Sequence, residues 1–280
     1  MLILLRSLKR RMVREVGGFL VDAGNRILGN RRRLMPPTRM ISIGGGDFIA
    51  IGFKFFHYLV HHAGLLPTHD VLDIGCGYGR LARPLTKYLT SGSYSGIEVS
   101  RKAADWCGRH FTPEFPHFTF RHVGIYNEYY NPRGEIRPHE FRFPFDDSSF
   151  DFVIASSVYT HMRIDDIRNY IRETARVLKP GGVSFSTWYL LDGESRSLMG
   201  NHPDSPQFTH AVDGENRSFT SEPARPEEAM AYDEILVMEW FDENGLHSDG
   251  GIHYGKWCGR EAFLDYQDIL ISKKGSPPSS

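Results

Sequence analysis

The 280 residues are 40% hydrophobic and 24% charged, enough to bury one large core and unlike a disordered, collagenous or disulfide-stapled chain. Cys76, Cys107 and Cys258 are too few and too scattered for a disulfide framework and lack zinc spacing, which suits a reducing cytoplasm. The net charge of −1 divides unevenly: residues 1–35 carry nine Arg or Lys against Glu15 and Asp22, a surplus of seven, and the remainder carries −8, so no nucleic-acid partner is expected.

In chain order, MLILLRSLKRRMVREV places Leu5, Leu8, Met12, Val16 and Phe19 at helical spacing, with Arg6, Lys9, Arg10 and Arg14 elsewhere around the wheel. This is an amphipathic basic helix. It has two readings, peripheral contact with an anionic membrane surface and a lid folded onto the domain. Positive charges follow the short apolar run, and no 18-residue apolar span occurs, so neither a secretory signal nor a membrane span is expected. Pro36-Pro37 closes this helical extension, set at residues 1–40.

Residues 41–274 read as one domain. ISIGGGDFIAIGFKFFHYLVHHAGL is a glycine loop feeding a helix, VLDIGC a buried strand, and GRLARPLTKYLTSG its return helix. YSGIEVS, FTFRHV, FDFVIASS and GVSFSTWYLL are further strands, with RKAADWCGRHF and DDIRNYIRETARVL as helices between them. A polar, Pro-rich excursion, YNEYYNPRGEIRPHEFRFPFDDSS, precedes the fourth strand. Residues 191–227 read as an inserted loop, EEAMAYDEILVMEWFDENGL as a helix, GIHYGKW and YQDILISKK as strands, and residues 275–280 as a disordered tail. Alternating strands and helices predict an α/β fold, a doubly wound, mostly parallel sheet with helices on both faces. Ligands in such a sheet sit beyond the carboxyl ends of the strands, so the loops after Ile74, Val99, Val123, Ala155 and Trp188 are the ones to search.

The first of these loops carries the chemistry. In VLDIGCGYGRLA, Arg80 stands where a dinucleotide fingerprint needs its third glycine, and no phosphate-loop Lys-Ser pair follows. Asp73, just before the glycines, would repel a pyrophosphate and welcome a cation. Glu98 lies nineteen residues beyond Gly79, where an acid receives the hydroxyls of a ribose; on its own it reads equally as a solvated acid at a strand end.

VLDIGCGYGRLA, the acid in GIEVS, FPFDDSSFDFVIASS and RVLKPGG before a strand resemble, in order and spacing, the motifs of class I S-adenosylmethionine-dependent methyltransferases. The ending resembles that fold's last strand pair, and GGGDFIAIG resembles a subgroup acting on small molecules of bacterial glycan and natural-product pathways. The resemblance implies a seven-stranded Rossmann-like fold with S-adenosylmethionine as cofactor. Its site would comprise Gly46, Asp47 and Phe48 of the GGGDF turn, Asp73 facing the methionine ammonium, and Gly75, Cys76, Gly77 and Arg80 of the loop. Glu98 would take the ribose diol beside Val99, with Gly124 and Ile125 near the adenine and Ser156 closing over the cofactor. Gly124 departs from the family, which often presents an acid or polar side chain there.

His161, in ASSVYTHM, is the expected proton acceptor for a hydroxyl, since a neutral imidazole suits that task; its other reading is a helix cap or cofactor contact. His253 on the penultimate strand is a rival. His57, His61 and His62 lack an obvious third ligand, so no metal is expected. Gly44-Gly45-Gly46 with Asp47 reads either as a plain helix cap or as a loop that closes over the cofactor. The expected function is methyl transfer to a small-molecule acceptor, a hydroxyl of a glycan or natural-product intermediate. The alternatives are a non-catalytic cofactor-binding or membrane-associated protein and an NAD(P)-dependent oxidoreductase.

Overall fold

A computed structural model describes residues 21–22, 33–41, 46–128, 130–201 and 205–275. Most of the basic extension, Gly44 and Gly45 of the glycine turn, and residues 276–280 of the tail lie outside the described residues.

The expected doubly wound sheet is present. Its strands are β1 (Val71–Ile74), β2 (Tyr94–Glu98), β3 (Phe118–His122), β4 (Phe150–Ala155), β5 (Leu178–Trp188), β10 (Leu246–His253) and β11 (Asp268–Lys274), in the order β10-β11-β5-β4-β1-β2-β3. Strands β1 to β5 pair in parallel, whereas β11 runs antiparallel between β5 and β10. The chain order reverses between β1 and β4, the crevice where open α/β sheets bind ligands.

Alternation along β4 explains why both faces are covered. Val153 and Ala155 enter a core with Ile167 and Ile171 of helix α4 (Ile164–Val177) and Val237 and Trp240 of α6 (Glu234–Glu243). Phe152 and Ile154 point the opposite way, to Phe55 and Leu59 of α1 (Phe48–His61) and Ala103 and Cys107 of α3 (Arg101–His110). A period-two strand buried on both sides reads as a continuous apolar run, which is why FDFVIA was legible.

Three elements depart from the sequence reading. The helix expected from Gly79 shrinks to one turn, α2 (Ala82–Leu85), because Pro84 removes a donor and disfavours helix at Arg83. The helix expected from Glu227 begins only at Glu234, since β9 (Met230–Asp233) pairs with β6 (Leu190–Leu191) and β8 (Ser218–Thr220). Residues 191–227, read as a loop, hold α5 (Gly193–Met199), β7 (His210–Ala211) and β8, so the second sheet runs β6-β9-β8-β7. This lobe packs Leu191, Met199, Phe208 and Ala231 against Trp257 and Cys258. Among the described residues no helix is long and apolar enough to cross a membrane.

Candidate active site

A cavity of about 870 Å³ opens at the carboxyl ends of β1, β2 and β4, toward the upper end of the about 300–1,000 Å³ typical of small-molecule sites. The glycine loop forms its inner wall. Gly75, Gly77 and Gly79 have φ of +71°, +53° and +75°, left-handed values that favour glycine. Their surroundings differ. A Cβ on Gly79 would lie 2.9 Å from the Phe111 ring, so this glycine lets the loop seat against α3 and the Phe111 that follows it. A Cβ on Gly77 would meet nothing within 4 Å, and Gly77 lines the cavity: it leaves room for a ligand.

Two buried carboxylates flank that room, Asp73 at 2% and Glu98 at 4% exposure. Glu98 Oε2 accepts from the Gly77 N–H at 2.8 Å and Oε1 from the Ser100 N–H at 2.7 Å. It therefore shapes the loop while keeping further lone pairs, although burial raises its pKa despite these bonds. Asp73 Oδ2 accepts from the Tyr94 hydroxyl at 2.5 Å. Burial pushes Asp73 up to about 7, with the Tyr94 bond opposing and Glu98 adding to the rise. Among the described residues no cation offsets that burial, so an arriving ammonium would restore its ionisation.

Helix α1 crosses the loop at Gly52, where a Cβ would lie 2.5 Å from the Arg80 carbonyl oxygen. Asp47 caps this helix, accepting from the Ile49 and Ala50 N–H groups at 2.9 and 2.7 Å. The Arg80 guanidinium sits 5.4 Å from the Phe48 ring centre, and its pKa is lowered by burial, with Asp47 favouring its charge. Phe48 and Arg80 line the cavity; Gly46 and Asp47 do not.

The outer wall comes from loops remote in sequence. His161 ends a 3-10 turn (Tyr159–His161), held by the Tyr232 hydroxyl donating to the Tyr159 and Met162 carbonyls. Its Nδ1 lies 3.0 Å from the Glu227 carbonyl oxygen. A carbonyl only accepts, so Nδ1 carries the proton and Nε2 is left as the acceptor. Burial lowers the pKa of His161 from 6.5, which keeps the ring neutral near pH 7. Gln267 closes the floor, where its Oε1 accepts from the Ser157 and Thr187 hydroxyls at 2.7 and 2.8 Å.

The cavity thus gathers Phe48, Asp73, Gly75, Cys76, Gly77, Arg80, Glu98, Val99, Ile125, Ser156 and His161 from the residues named on sequence grounds. Besides Gly46 and Asp47, two others fall outside it. His253 turns to His62, ring centres 5.1 Å apart, on the β10 edge, which corrects its candidacy as a base. Gly124 is not on the cavity wall, and its carbonyl accepts from the Glu135 and Ile136 N–H groups at 3.0 and 3.1 Å, so Val123 and Ile125 supply that wall instead. The rings of His57 and His61 lie 4.3 Å apart, tilted by 40°, and no group of three metal-ligating side chains occurs among the described residues. Tyr130, His139, Asp166, Tyr189, Glu227 and Gln267 also line the site without a sequence signal. They lie on the excursion, on α4, on the inserted lobe and beside the terminal strands, and only the tertiary fold joins them.

Residues 72–186 match a sequence-family model described as "Methyltransferase domain". Over 137 residues the chain is 30% identical to sterol 24-C-methyltransferase ERG6B of Gibberella zeae, covering 49% of this chain and 32% of that protein. Over 116 residues it is 31% identical to the phthiotriol/phenolphthiotriol dimycocerosates methyltransferase of Mycobacterium tuberculosis, covering 40% and 35%. The chain therefore matches about a third of the length of these curated relatives. In fold it is similar to the PH0226 protein of Pyrococcus horikoshii OT3, with a TM-score of 0.55 at 15% identity over 84% of this chain and 94% of that one. It is also similar to the [4+2]-cyclase SpnF, with a TM-score of 0.51 at 16% identity over 80% and 82%. Over residues 72–186 the chain is therefore similar to the methyltransferase family, and its sheet has the fold of these solved structures.

S-adenosylmethionine, the cofactor of that family, fits the residues present. The open face of Gly77 and a donor set of carboxylates suit a phosphate-free, cationic ligand with a ribose diol better than a pyrophosphate.

Proposed function

We propose that this protein transfers a methyl group from S-adenosylmethionine to a hydroxyl of a small-molecule acceptor. Asp73 holds the methionine ammonium, Glu98 the ribose hydroxyls, and the backbone at Gly75 and Gly77 lets the nucleoside approach closely. When bound, the sulfonium supplies an electrophilic methyl group and a neutral thioether leaving group. What this chain adds is position and proton transfer. Phe48 on α1 and Arg80 on the glycine loop cover the inner cavity, the excursion and the inserted lobe cover the outer cavity, and His161 Nε2 takes the proton that the acceptor oxygen must lose.

One observation carries the hydroxyl reading: a buried, neutral imidazole whose tautomer is fixed by the Glu227 carbonyl lines the same cavity as Asp73 and Glu98. Incubating the protein and labelled S-adenosylmethionine with an extract of its own cells should yield a labelled methyl ether, identified by NMR. Label on carbon or nitrogen overturns the hydroxyl assignment. No labelled product, with S-adenosylmethionine still bound, favours a non-catalytic binding protein.

A further inference from the structure

Helix α4 buries a polar stripe. Asp166, Asn169 and Glu173 fall at i, i+3 and i+7, exposed by 9%, 5% and 4%, on a face that an amphipathic helix usually gives to apolar side chains. Most of the stripe ties down the strap that leads into β4. Asn169 Nδ2 donates to the Pro138 and Phe141 carbonyls at 2.8 and 2.9 Å, and Glu173 Oε2 accepts from the Phe143 N–H at 2.8 Å. Arg176, one turn on, donates to the Phe143 and Phe145 carbonyls at 3.0 and 2.9 Å.

With the strap already fixed, Asp166 at the cavity end of the stripe has a different partner. Its Oδ1 lies 3.3 Å from His139 Nδ1, and both residues line the cavity. A carboxylate accepts, so it holds the proton on Nδ1 and leaves His139 Nε2 as an acceptor. Glu140 Oε1 is 3.9 Å from that Nε2, and its side chain is 67% exposed, beyond hydrogen-bond length. His161 is held in the same sense, Nδ1 donating to the Glu227 carbonyl. One cavity thus presents two imidazoles, each with Nδ1 committed and Nε2 ready to receive a hydroxyl proton.

The remaining wall agrees with such a guest. Tyr126, Tyr130, Tyr189 and Tyr266 share it with Val158 and Met162, and apolar side chains such as Ile41, Ile51 and Phe55 line the same cavity. A sterol or acyl chain there would strip water from Asp166, Arg163 and Glu227 without replacing its hydrogen bonds. We infer that the acceptor is polyhydroxylated, with the reacting hydroxyl at His161 and a second hydroxyl received by His139, which Asp166 positions. This rests on the hydroxyl methyl transfer proposed for the same cavity.

The test reads binding rather than turnover. In protein saturated with S-adenosylhomocysteine and labelled with ¹⁵N at histidine, the imidazole resonances are followed while methyl glycosides of glucose, galactose, mannose and rhamnose are added. Cholesterol in nonionic micelles serves as the apolar probe. At least one glycoside should shift both His139 and His161 Nε2. D166N, whose amide can donate to Nδ1 and move the proton to Nε2, should weaken that glycoside about tenfold with S-adenosylhomocysteine affinity unchanged. H139A should lose the same affinity, and H139Q, with an amide oxygen as acceptor, should recover part of it. No shift at His139 with any of the four glycosides, a shift with cholesterol alone, or D166N and H139A binding the glycoside as wild type does would each overturn the inference. A glycoside that binds at both imidazoles and is never methylated would sink the proposed reaction and leave only the polyhydroxylated ligand and its two imidazole contacts standing.

Discussion

Asp73 and His161 line one cavity, and their protonation sets two pH dependences. The Asp73 carboxyl stands at about 7 in the fold against an ordinary 3.8. The folded state therefore holds the extra proton between these values, and the contribution of Asp73 to stability is full below pH 4 and falls as pH rises toward 7. An ammonium beside it reverses the preference, so cofactor affinity should rise as pH passes through 7, with proton release measurable by calorimetry in two buffers; Asp73→Asn should flatten the profile. His161 works as a base only when neutral. With its pKa below 6.5, kcat/KM for the acceptor at saturating S-adenosylmethionine should fall on the acid side of that value and be level above pH 7. His161→Ala should cut kcat by about 100-fold with little change in cofactor affinity; unchanged turnover would leave His161 structural. Gly77→Ala separates backbone from space. Its φ of +53° costs an L side chain roughly 1–2 kcal/mol, so the melting temperature should drop modestly, while a methyl group in the ligand's room should remove most cofactor binding.

Among the elements, legibility followed locality. The glycine loop, Asp73 and Glu98 were readable because β1, its turn and β2 bring them together within a short span, and alternation or continuous apolarity marked the central strands. Pro84 was in view, yet the apolar spacing of GRLARPL suggested more helix than one turn permits. Met230–Asp233 reads equally as helix or strand until the partners β6 and β8 decide. His139 and Asp166 gave no signal, because an i, i+3, i+7 polar stripe on α4 looks solvent-facing until the strap at 138–145 covers it. The inserted lobe hid a comparable device: Asp268 on β11, 1% exposed, accepts from the Leu190 and Gly255 N–H groups at 2.7 Å and from Trp257 Nε1 at 2.8 Å. It joins the lobe to the main sheet. Asp268→Asn turns one acceptor into a donor among donors and should cost about 2–3 kcal/mol by denaturant unfolding; a loss within 0.5 kcal/mol, roughly that of an ordinary surface change, would contradict this role.

At the scale of the molecule, the sheet supplies a crevice that many chemistries share, and the SpnF likeness shows how little the fold alone decides. In this chain a carboxylate-lined inner cavity is paired with an imidazole-lined outer one. The inner half was foreshadowed by VLDIGCGYGRLA and GIEVS, whereas the outer half was assembled from four separate loops. In the inner cavity Asp73, Gly77 and Glu98 are proposed to form a seat for S-adenosylmethionine. Calorimetric titration of the wild type and Glu98→Ala with S-adenosylmethionine and with NADH tests it most directly. The wild type should bind S-adenosylmethionine and not NADH, and Glu98→Ala should lose roughly 1.5–3 kcal/mol of that binding with the ribose hydrogen bonds. Tight NADH binding with none for S-adenosylmethionine, or an affinity unchanged by Glu98→Ala, would contradict it.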